Sequence, residues 1–178
     1  SNLRKDHPLF AQRIRQATKK GCQVFALNAK VYDWAMPVTA SVVAAQDWAQ
    51  ALADVAAAVA QAKGVQAPVA GQANVEADAI AQALIAGERK AILLGNAAAH
   101  HAHAAELLAL ANWIGEQTGA TVGYLTEAAN TVGAQWVKAQ PQANGLHAAQ
   151  MIAGGLKATI LLNNEPALDS AAGQQALQ

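Results

Sequence analysis

Residues 90–125 read KAILLGNAAAHHAHAAELLALANWIGEQTGATVGYL, and this stretch decides the fold class. A short apolar run from Lys90 to Leu94 predicts a buried strand, and the Gly95-Asn96 pair predicts the turn that ends it. Apolar residues then recur at helical spacing from about Ala102 to Thr118. A second short apolar run, Thr121 to Leu125, follows at once. This order of strand, helix and strand predicts two parallel strands joined by a helix that covers the sheet.

The same alternation continues on both sides of this unit, with short apolar strands and glycines at helix ends. The further predicted helices are Pro8–Lys20, Ala44–Lys63, Val75–Ala86 and Leu146–Ala153, and the further predicted strands are Cys22–Asn28 and Lys157–Leu162. We expect loops over Val31–Thr39 and Thr126–Gly145, and a turn over Asn163–Pro166 that leads into a last helix, begun in Ala171–Gln178. The pattern as a whole predicts an α/β protein with parallel strands and helices on both faces.

The least regular part of the chain, Val65 to Asn74 (VQAPVAGQAN), contains Pro, Gly and small polar residues. Such a composition is typical of a linker, so we expect a first α/β lobe over residues 1–66 and a second over 75–178. Ser1-Asn2 looks like a turn that should follow a strand, and the last predicted helix has only begun where the chain stops. We therefore expect an excised piece of a longer protein; the alternative is a complete protein with frayed tails.

Composition argues against several classes of function. The 178 residues carry 12 basic and 12 acidic side chains, so the formal net charge is zero. This balance argues against a nucleic-acid groove or a binder of anionic membranes, because both need concentrated positive charge. No apolar run reaches the roughly 18 residues that read as a membrane-spanning helix. A single cysteine, Cys22, excludes a disulfide framework and a cysteine-held iron–sulfur cluster within this chain.

Three histidines, His100, His101 and His103, form the most suggestive cluster in the chain. Imidazoles close in sequence can bind zinc or nickel, and His100 and His103 would share a face of a helix. No cysteine lies nearby, the nearest carboxylate is Glu106, and His147 is the only later histidine. A polar cap at the start of a helix explains the cluster better than a metal site does.

Other polar features carry weaker signals. Gly95-Asn96 follows a strand as a phosphate-binding turn would, but no complete glycine-rich phosphate motif occurs in the chain. The carboxylates Glu127, Glu165 and Asp169 follow predicted strands, and nothing in the sequence pairs them as acid and base. Cys22 opens an apolar strand, so we expect a buried thiol rather than a reactive one.

The first twenty residues hold a surplus of positive charge. The basic residues are Arg4, Lys5, Arg13, Arg15, Lys19 and Lys20. Arg4 and Lys5 could meet a phosphate or an acidic partner subunit, although a solvated helix face is the commoner explanation. The four tryptophans fall in different elements, and we expect them to be separate packing anchors. They are Trp34, Trp48, Trp113 and Trp136.

Several segments, taken in order, resemble the molybdopterin-dependent oxidoreductases. The first is SNLRKDHPL at Ser1–Leu9, followed by Arg13-Ile14-Arg15 and Lys19-Lys20-Gly21, which together are similar to a GSN…HP…RIR…KKG pattern of that family. The later ones are Ala91–Gly95 (AILLG), Gly119–Tyr124 (GATVGY), Thr126–Asn130 (TEAAN) and Leu161–Pro166 (LLNNEP). Within the family these segments look most like the large G subunits of bacterial NADH-quinone oxidoreductase, respiratory complex I.

The resemblance implies two Rossmann-like lobes of the formate dehydrogenase and DMSO reductase type, with a strand before Ser1. Molybdenum enzymes of the family bind a pterin guanine dinucleotide through an Asp-Pro-Arg-like segment after the second strand of the first lobe. Here that segment is Asn28-Ala29-Lys30, which lacks both the acidic residue and the arginine. This departure argues against pterin binding and agrees with the complex I branch.

The resemblance to that branch implies a scaffold segment without redox centres, because the iron–sulfur cysteines of such subunits lie in their N-terminal part. No catalytic, cofactor-binding or metal-binding residue of the family maps onto this chain. The implied partners are other subunits of the peripheral arm, at the cytoplasmic face of the inner membrane. The alternative is a fragment that binds a nucleotide or the pterin dinucleotide, in a residual pocket near Gly95-Asn96 and Asn163-Asn164. A third possibility is an Ala-rich helical interaction module.

Overall fold

The computed structural model describes residues 2–126, 128, 130–170 and 172–174. The chain forms two compact units, Ser1–Glu127 and Ala128–Gln178. The division into lobes 1–66 and 75–178 stays a prediction. Helices on both sides of the proposed linker, residues 65–74, pack together within the first unit.

The first unit alternates helices and short strands. Its elements are α1 (Leu3–Asp6), α2 (Pro8–Thr18), β1 (Phe25–Asn28), β2 (Thr39–Val42), a 3₁₀ helix (Ala45–Asp47), α3 (Trp48–Lys63), α4 (Val75–Ala86), β3 (Ala91–Gly95), α5 (Asn96–Ala99), α6 (Ala104–Thr118) and β4 (Thr121–Leu125). The second unit has three short helices among its described residues: α7 (Thr131–Trp136), α8 (Ala148–Ile152) and α9 (Pro166–Asp169).

Each of the two described sheets has two parallel strands, β1 with β2 and β3 with β4. In the second sheet Leu94 lies opposite Tyr124, and α6 forms the crossover between the strands. The mixed α/β fold with parallel strands and flanking helices is therefore confirmed. The helix is pressed close to its strand at Gly115, where a Cβ atom would lie 2.6 Å from Val122 Cγ2 and 2.9 Å from the Ala120 carbonyl oxygen.

The core of the first unit lies between α3, α4 and α6 and is built largely of alanine. Its largest fully buried side chains are Val59 and Ile114. The remaining buried members of the cluster are Ala53, Val55, Ala56, Ala58, Ala77, Ala81 and Leu110. Because a methyl group adds little to the helix radius, three helices can approach one another closely around this core.

Four expectations about local structure are wrong. Thr131–Trp136 form α7 inside the loop expected over Thr126–Gly145. Thr39–Val42 form β2 directly after the loop expected over Val31–Thr39, because pairing with β1 satisfies a backbone whose sequence carries little strand signal. Cys22 is exposed, since β1 begins only at Phe25. Trp136 is 84% exposed and anchors no core, whereas Trp34, Trp48 and Trp113 are partly buried.

The predicted strand Lys157–Leu162 is also absent from the described structure. Ile160 is 97% exposed and Leu162 is 90% exposed. A strand needs a neighbour that accepts and donates its backbone hydrogen bonds, and the described part of the second unit contains no other strand. The last helix begins as expected after Glu165, whereas most of Ala171–Gln178 lies outside the described residues.

Candidate functional site

A cavity of about 260 Å³ opens beside the carboxyl ends of β1 and β2. In parallel α/β sheets this is the edge at which ligands bind. The strands contribute Leu27 and Ser41, and the chain after β2 contributes Val43. The other lining residues come from the 3₁₀ helix, α3 and the start of α4: Asp47, Gln50, Ala51, Asp54, Val55, Asn74, Glu76, Ala77 and Ile80.

The polar lining of the cavity follows from the geometry of two helices. Asp47, Gln50 and Asp54 are spaced three and four residues apart, so they lie on one side of the chain as it enters and continues through α3. Asn74 caps α4, because its Oδ1 accepts a hydrogen bond of 2.9 Å from the Ala77 backbone N–H. This cap starts the helix and brings Glu76, in its first turn, to the rim of the cavity.

Some of the polar side chains that line the cavity form hydrogen bonds within the chain, and others do not. Asp54 Oδ1 accepts hydrogen bonds of 2.9 Å from Gln50 Nε2 and from the Gln72 backbone N–H. Asp47 precedes α3 without capping it, and within the described part of the chain neither Asp47 nor Glu76 has a side-chain partner. Three carboxylates line the cavity, and none of the described lining residues is Lys or Arg.

The histidine cluster does not converge on one point. His101 Nδ1 accepts a hydrogen bond of 3.0 Å from the His103 backbone N–H, so Nε2 carries the proton and donates to the Ala45 carbonyl oxygen at 2.9 Å. His103 Nδ1 lies 3.0 Å from Glu106 Oε1, and His100 is exposed. Both ring nitrogens of His101 therefore already form hydrogen bonds.

These contacts anchor the segment before α6 to the 3₁₀ helix before α3. The His101 ring also lies 5.5 Å from the Trp48 ring, whose Nε1 donates to the Val43 carbonyl oxygen at 3.0 Å. Across the described ranges, 2–126, 128, 130–170 and 172–174, no three His, Cys, Asp or Glu side chains come together so that they could hold a metal ion. The cluster acts as a polar anchor between two elements.

The other sequence candidates are dispersed. Gly95 has an extended backbone (φ −85°) and precedes α5, a single turn of four residues, while Asn163 and Asn164 belong to the second unit. A shared nucleotide pocket at these positions stays a prediction. The Glu165 backbone N–H donates to Asp169 Oδ2 at 2.8 Å, which is a local contact around α9. Glu127 lies outside the described residues.

The basic N-terminal segment makes one ion pair among the described residues, between Arg4 and Asp33. The Ala35 backbone N–H, and then the hydrogen bond and charge of Arg4, hold the pKa of Asp33 below its usual value. The nearby Lys30 ammonium lies 5.2 Å from the centre of the Tyr32 ring, in a cation–π contact. This contact ties Lys30, part of the segment that replaces the Asp-Pro-Arg pattern, to its own loop.

A comparison with known families assigns the class of the chain. It matches the molybdopterin oxidoreductase family over residues 1–178, its whole length, and it belongs to that family. No curated protein and no solved structure matches it. Within the described residues, no helix is both long and apolar enough to cross a bilayer.

The cofactor implied by the family name does not fit the cavity at the β1–β2 edge. A pterin guanine dinucleotide carries a pyrophosphate, which proteins hold with cations or with converging backbone N–H groups. Here Asp47, Asp54 and Glu76 present negative charge instead. The volume of 260 Å³ also lies below the roughly 300–1,000 Å³ of sites for drug-sized ligands, and a dinucleotide is larger still.

Sequence reasoning missed every polar residue of this cavity. Ser41 comes from the unpredicted strand β2, and Glu76 comes from the far side of the predicted linker. One signal was present, because the spacing of Asp47, Gln50 and Asp54 places polar groups on a single helical face. Alone this spacing is typical of a solvated helix face, and only the packing of α3 against α4 makes that face the wall of a cavity.

Proposed function

We propose that the chain is a non-catalytic scaffold segment of the G subunit of a bacterial NADH-quinone oxidoreductase. The parent complex passes electrons from NADH to quinone through iron–sulfur clusters and couples this transfer to proton pumping. In this proposal the chain comprises Rossmann-like lobes without a redox centre. It lies among the subunits of the peripheral arm, at the cytoplasmic face of the membrane.

One observation carries the proposal: the chain belongs to the molybdopterin oxidoreductase family, yet the cavity beside β1 and β2 is lined by three carboxylates and, among its described residues, by no Lys or Arg that could hold a pyrophosphate. The segment Asn28-Ala29-Lys30 supports it, because the acidic residue and the arginine of the cofactor-binding pattern are both replaced. A family member that has lost its cofactor chemistry keeps the fold, and a fold without a site is suited to a structural role.

Exposed apolar side chains give further support. Leu9 is 82% exposed on α2, and the second unit exposes Trp136 and Ile160 almost completely. A contiguous exposed apolar patch commonly marks a surface that contacts other protein, and the consecutive residues Ile160, Leu161 and Leu162 are 97%, 53% and 90% exposed. A scaffold segment within a multisubunit arm would cover such residues with neighbouring subunits.

The test is to place an affinity tag on the chromosomal gene and purify the tagged protein from detergent-solubilised membranes. We expect NADH:quinone oxidoreductase activity and iron–sulfur absorbance to co-purify with the tag, and molybdenum to be absent by elemental analysis. Stoichiometric molybdenum with a bound pterin would overturn the proposal and support the cofactor-binding alternative. A tagged protein that purifies without NADH oxidation activity would also overturn it.

A further inference from the structure

The segment Lys157–Leu162 (KATILL) is an apolar stretch of chain whose residues are all exposed. Within the described part of the chain, the backbone N–H and C=O groups of residues 157–162 form no hydrogen bond. The segment has one charged side chain, that of Lys157, and no proline. Exposed segments of this kind pair readily with another strand, because pairing covers the apolar side chains and satisfies the backbone.

The order of charges around this segment makes it complementary to a second copy of itself. Lys157 and Glu165 each lie four residues from Leu161, on opposite sides. In an antiparallel pairing with Leu161 opposite Leu161, Lys157 of each copy lies opposite Glu165 of the other. In a parallel, in-register pairing every charge would lie opposite its like, which is destabilising. The charges therefore favour the antiparallel arrangement.

The same register pairs the apolar side chains. Ile160 of each copy lies opposite Leu162 of the other, and these four side chains project from one face of the two-stranded ribbon. The two Leu161 side chains meet on the other face. Lys157 cannot reach Glu165 of its own chain in an extended segment, because eight residues of strand span about 27 Å. Only a second copy therefore completes the pairs.

The pairing requires one change in the backbone. Asn163 has a φ of +52°, in the left-handed region, and must become extended for the register to reach Glu165. Asparagine adopts both conformations more easily than most residues do. Glu165 is already extended, with a φ of −115°. It can stay at the start of α9, because the ion pair uses only its side chain.

We propose that Lys157–Glu165 is a self-association segment through which two copies of the chain form an antiparallel ribbon. The formal net charge of zero leaves no overall repulsion between the copies. Each copy contributes the same surface, as in other two-fold interfaces. A two-stranded ribbon is only marginally stable, so the dimer is weak and forms as the concentration rises. The inference does not rest on the proposed function, since it concerns the chain outside any larger complex.

Sedimentation equilibrium of the whole chain, from micromolar to millimolar concentration, tests the proposal. The average molecular mass should rise with concentration from 18.3 kDa toward twice that value. Ile160→Lys should keep the chain monomeric, because it places a charge on the apolar face of the ribbon. Leu168→Lys is the control, since Leu168 is also exposed but lies on α9, outside the segment. A parent chain that stays monomeric, and so leaves the segment to a different protein, would overturn the proposal, as would an equal effect of Leu168→Lys.

Charge exchange tests the orientation of the two copies. Lys157→Glu and Glu165→Lys each place like charges opposite one another at both ends of the ribbon, and each should weaken self-association about tenfold. The double variant places opposite charges together again and should recover the affinity of the parent chain. A double variant as weak as either single variant would refute the antiparallel register.

Cysteine variants test the register itself, in a Cys22→Ser background that removes the exposed native thiol. Leu161→Cys should form an intermolecular disulfide on mild oxidation, because opposite residues have Cα atoms about 4.5–5.5 Å apart, within disulfide reach. Thr159→Cys is the matched control, since the two copies of residue 159 lie four residues apart in this register, about 14 Å. Equal crosslinking at both positions would refute the register.

Discussion

Gly115→Ala tests the packing of α6 on β4, the contact on which the second sheet depends. An added Cβ would lie 2.6 Å from Val122 Cγ2 and 2.9 Å from the Ala120 carbonyl oxygen. The side chain of Val122 can rotate, but the carbonyl belongs to the backbone that leads into β4. The helix must therefore move away from the strand, and such overpacking costs about 1–3 kcal/mol.

Helix propensity works in the opposite direction. Alanine in a helix interior is favoured over glycine by about 0.8–1.0 kcal/mol. Because the carbonyl contact cannot be relieved by a rotamer change, we expect the clash to exceed this gain. The net loss in the free energy of unfolding should be about 1 kcal/mol, the middle of the overpacking range less the gain in helix propensity, measured by urea unfolding followed by far-UV circular dichroism.

Gly123→Ala is the matched control, because a Cβ at this position in β4 meets no atom within 4 Å. It should leave the free energy of unfolding unchanged or raise it slightly, since alanine restricts the unfolded chain. The double variant Gly115→Ala with Val122→Ala should recover part of the loss and no more. If Gly115→Ala alone were as stable as the parent chain, α6 would not rest on β4 as described.

Three further predictions concern the core, a helix cap and one carboxyl group. Ile114→Ala should lower the free energy of unfolding by about 2–5 kcal/mol, and Ile114→Val by only about 0.5–1.5 kcal/mol; equal losses in urea unfolding would contradict its complete burial. Asn74→Ala should cost about 1 kcal/mol and Asn74→Asp much less, because aspartate also caps; a neutral Ala variant would argue against the cap. The pKa of Asp33 is held low by the Ala35 N–H and by Arg4, so its stabilisation is complete above the ordinary pKa of 3.8. This contribution to the free energy of unfolding is lost as the pH falls through the lowered pKa of Asp33. An NMR titration of Asp33 should show this shift and Arg4→Gln should reduce it; an ordinary pKa in the parent chain would refute the contact.

Elements with strong local signals were predictable from the sequence. The expected bounds of α4 and β4 agree with the structure, Val75–Ala86 and Thr121–Leu125. The first is set by the Asn74 cap. The second follows Gly119, whose φ of +76° ends α6 in the left-handed region. In both cases a boundary is decided by one residue whose chemistry is local, so the sequence alone contains the information.

Elements that depend on a distant neighbour were not predictable. Thr39–Val42 is a strand because β1 lies beside it, whereas the more apolar Lys157–Leu162 is not, because the described part of its unit contains no strand to pair with it. Apolar content favours a strand, but the strand forms only where a neighbouring strand pairs with its backbone N–H and C=O groups. The same reasoning explains Cys22, which lies three residues before the paired part of β1.

The cavity could not be predicted from the sequence, for a related reason. Its polar residues come from β2, the 3₁₀ helix, α3 and α4, and the first of these was not expected. The histidine cluster shows the converse. His101 and His103 are close in sequence, but His101 pairs with the Ala45 carbonyl oxygen and His103 with Glu106, so the two rings have separate partners. Neighbouring residues define a motif, but only the packing of elements decides whether their side chains converge.

The alanine-built core has a consequence for how this sequence can diverge. About a quarter of all positions are alanine, and these alanines fall into two groups that differ in which substitutions they tolerate. Ala56, Ala81 and Ala111 are almost completely buried, so any larger side chain must push helices apart. Alanines on exposed surfaces carry no such constraint. A saturation library should therefore accept only glycine or serine at the three buried sites. The positions that reject larger residues would then identify where the helices contact one another.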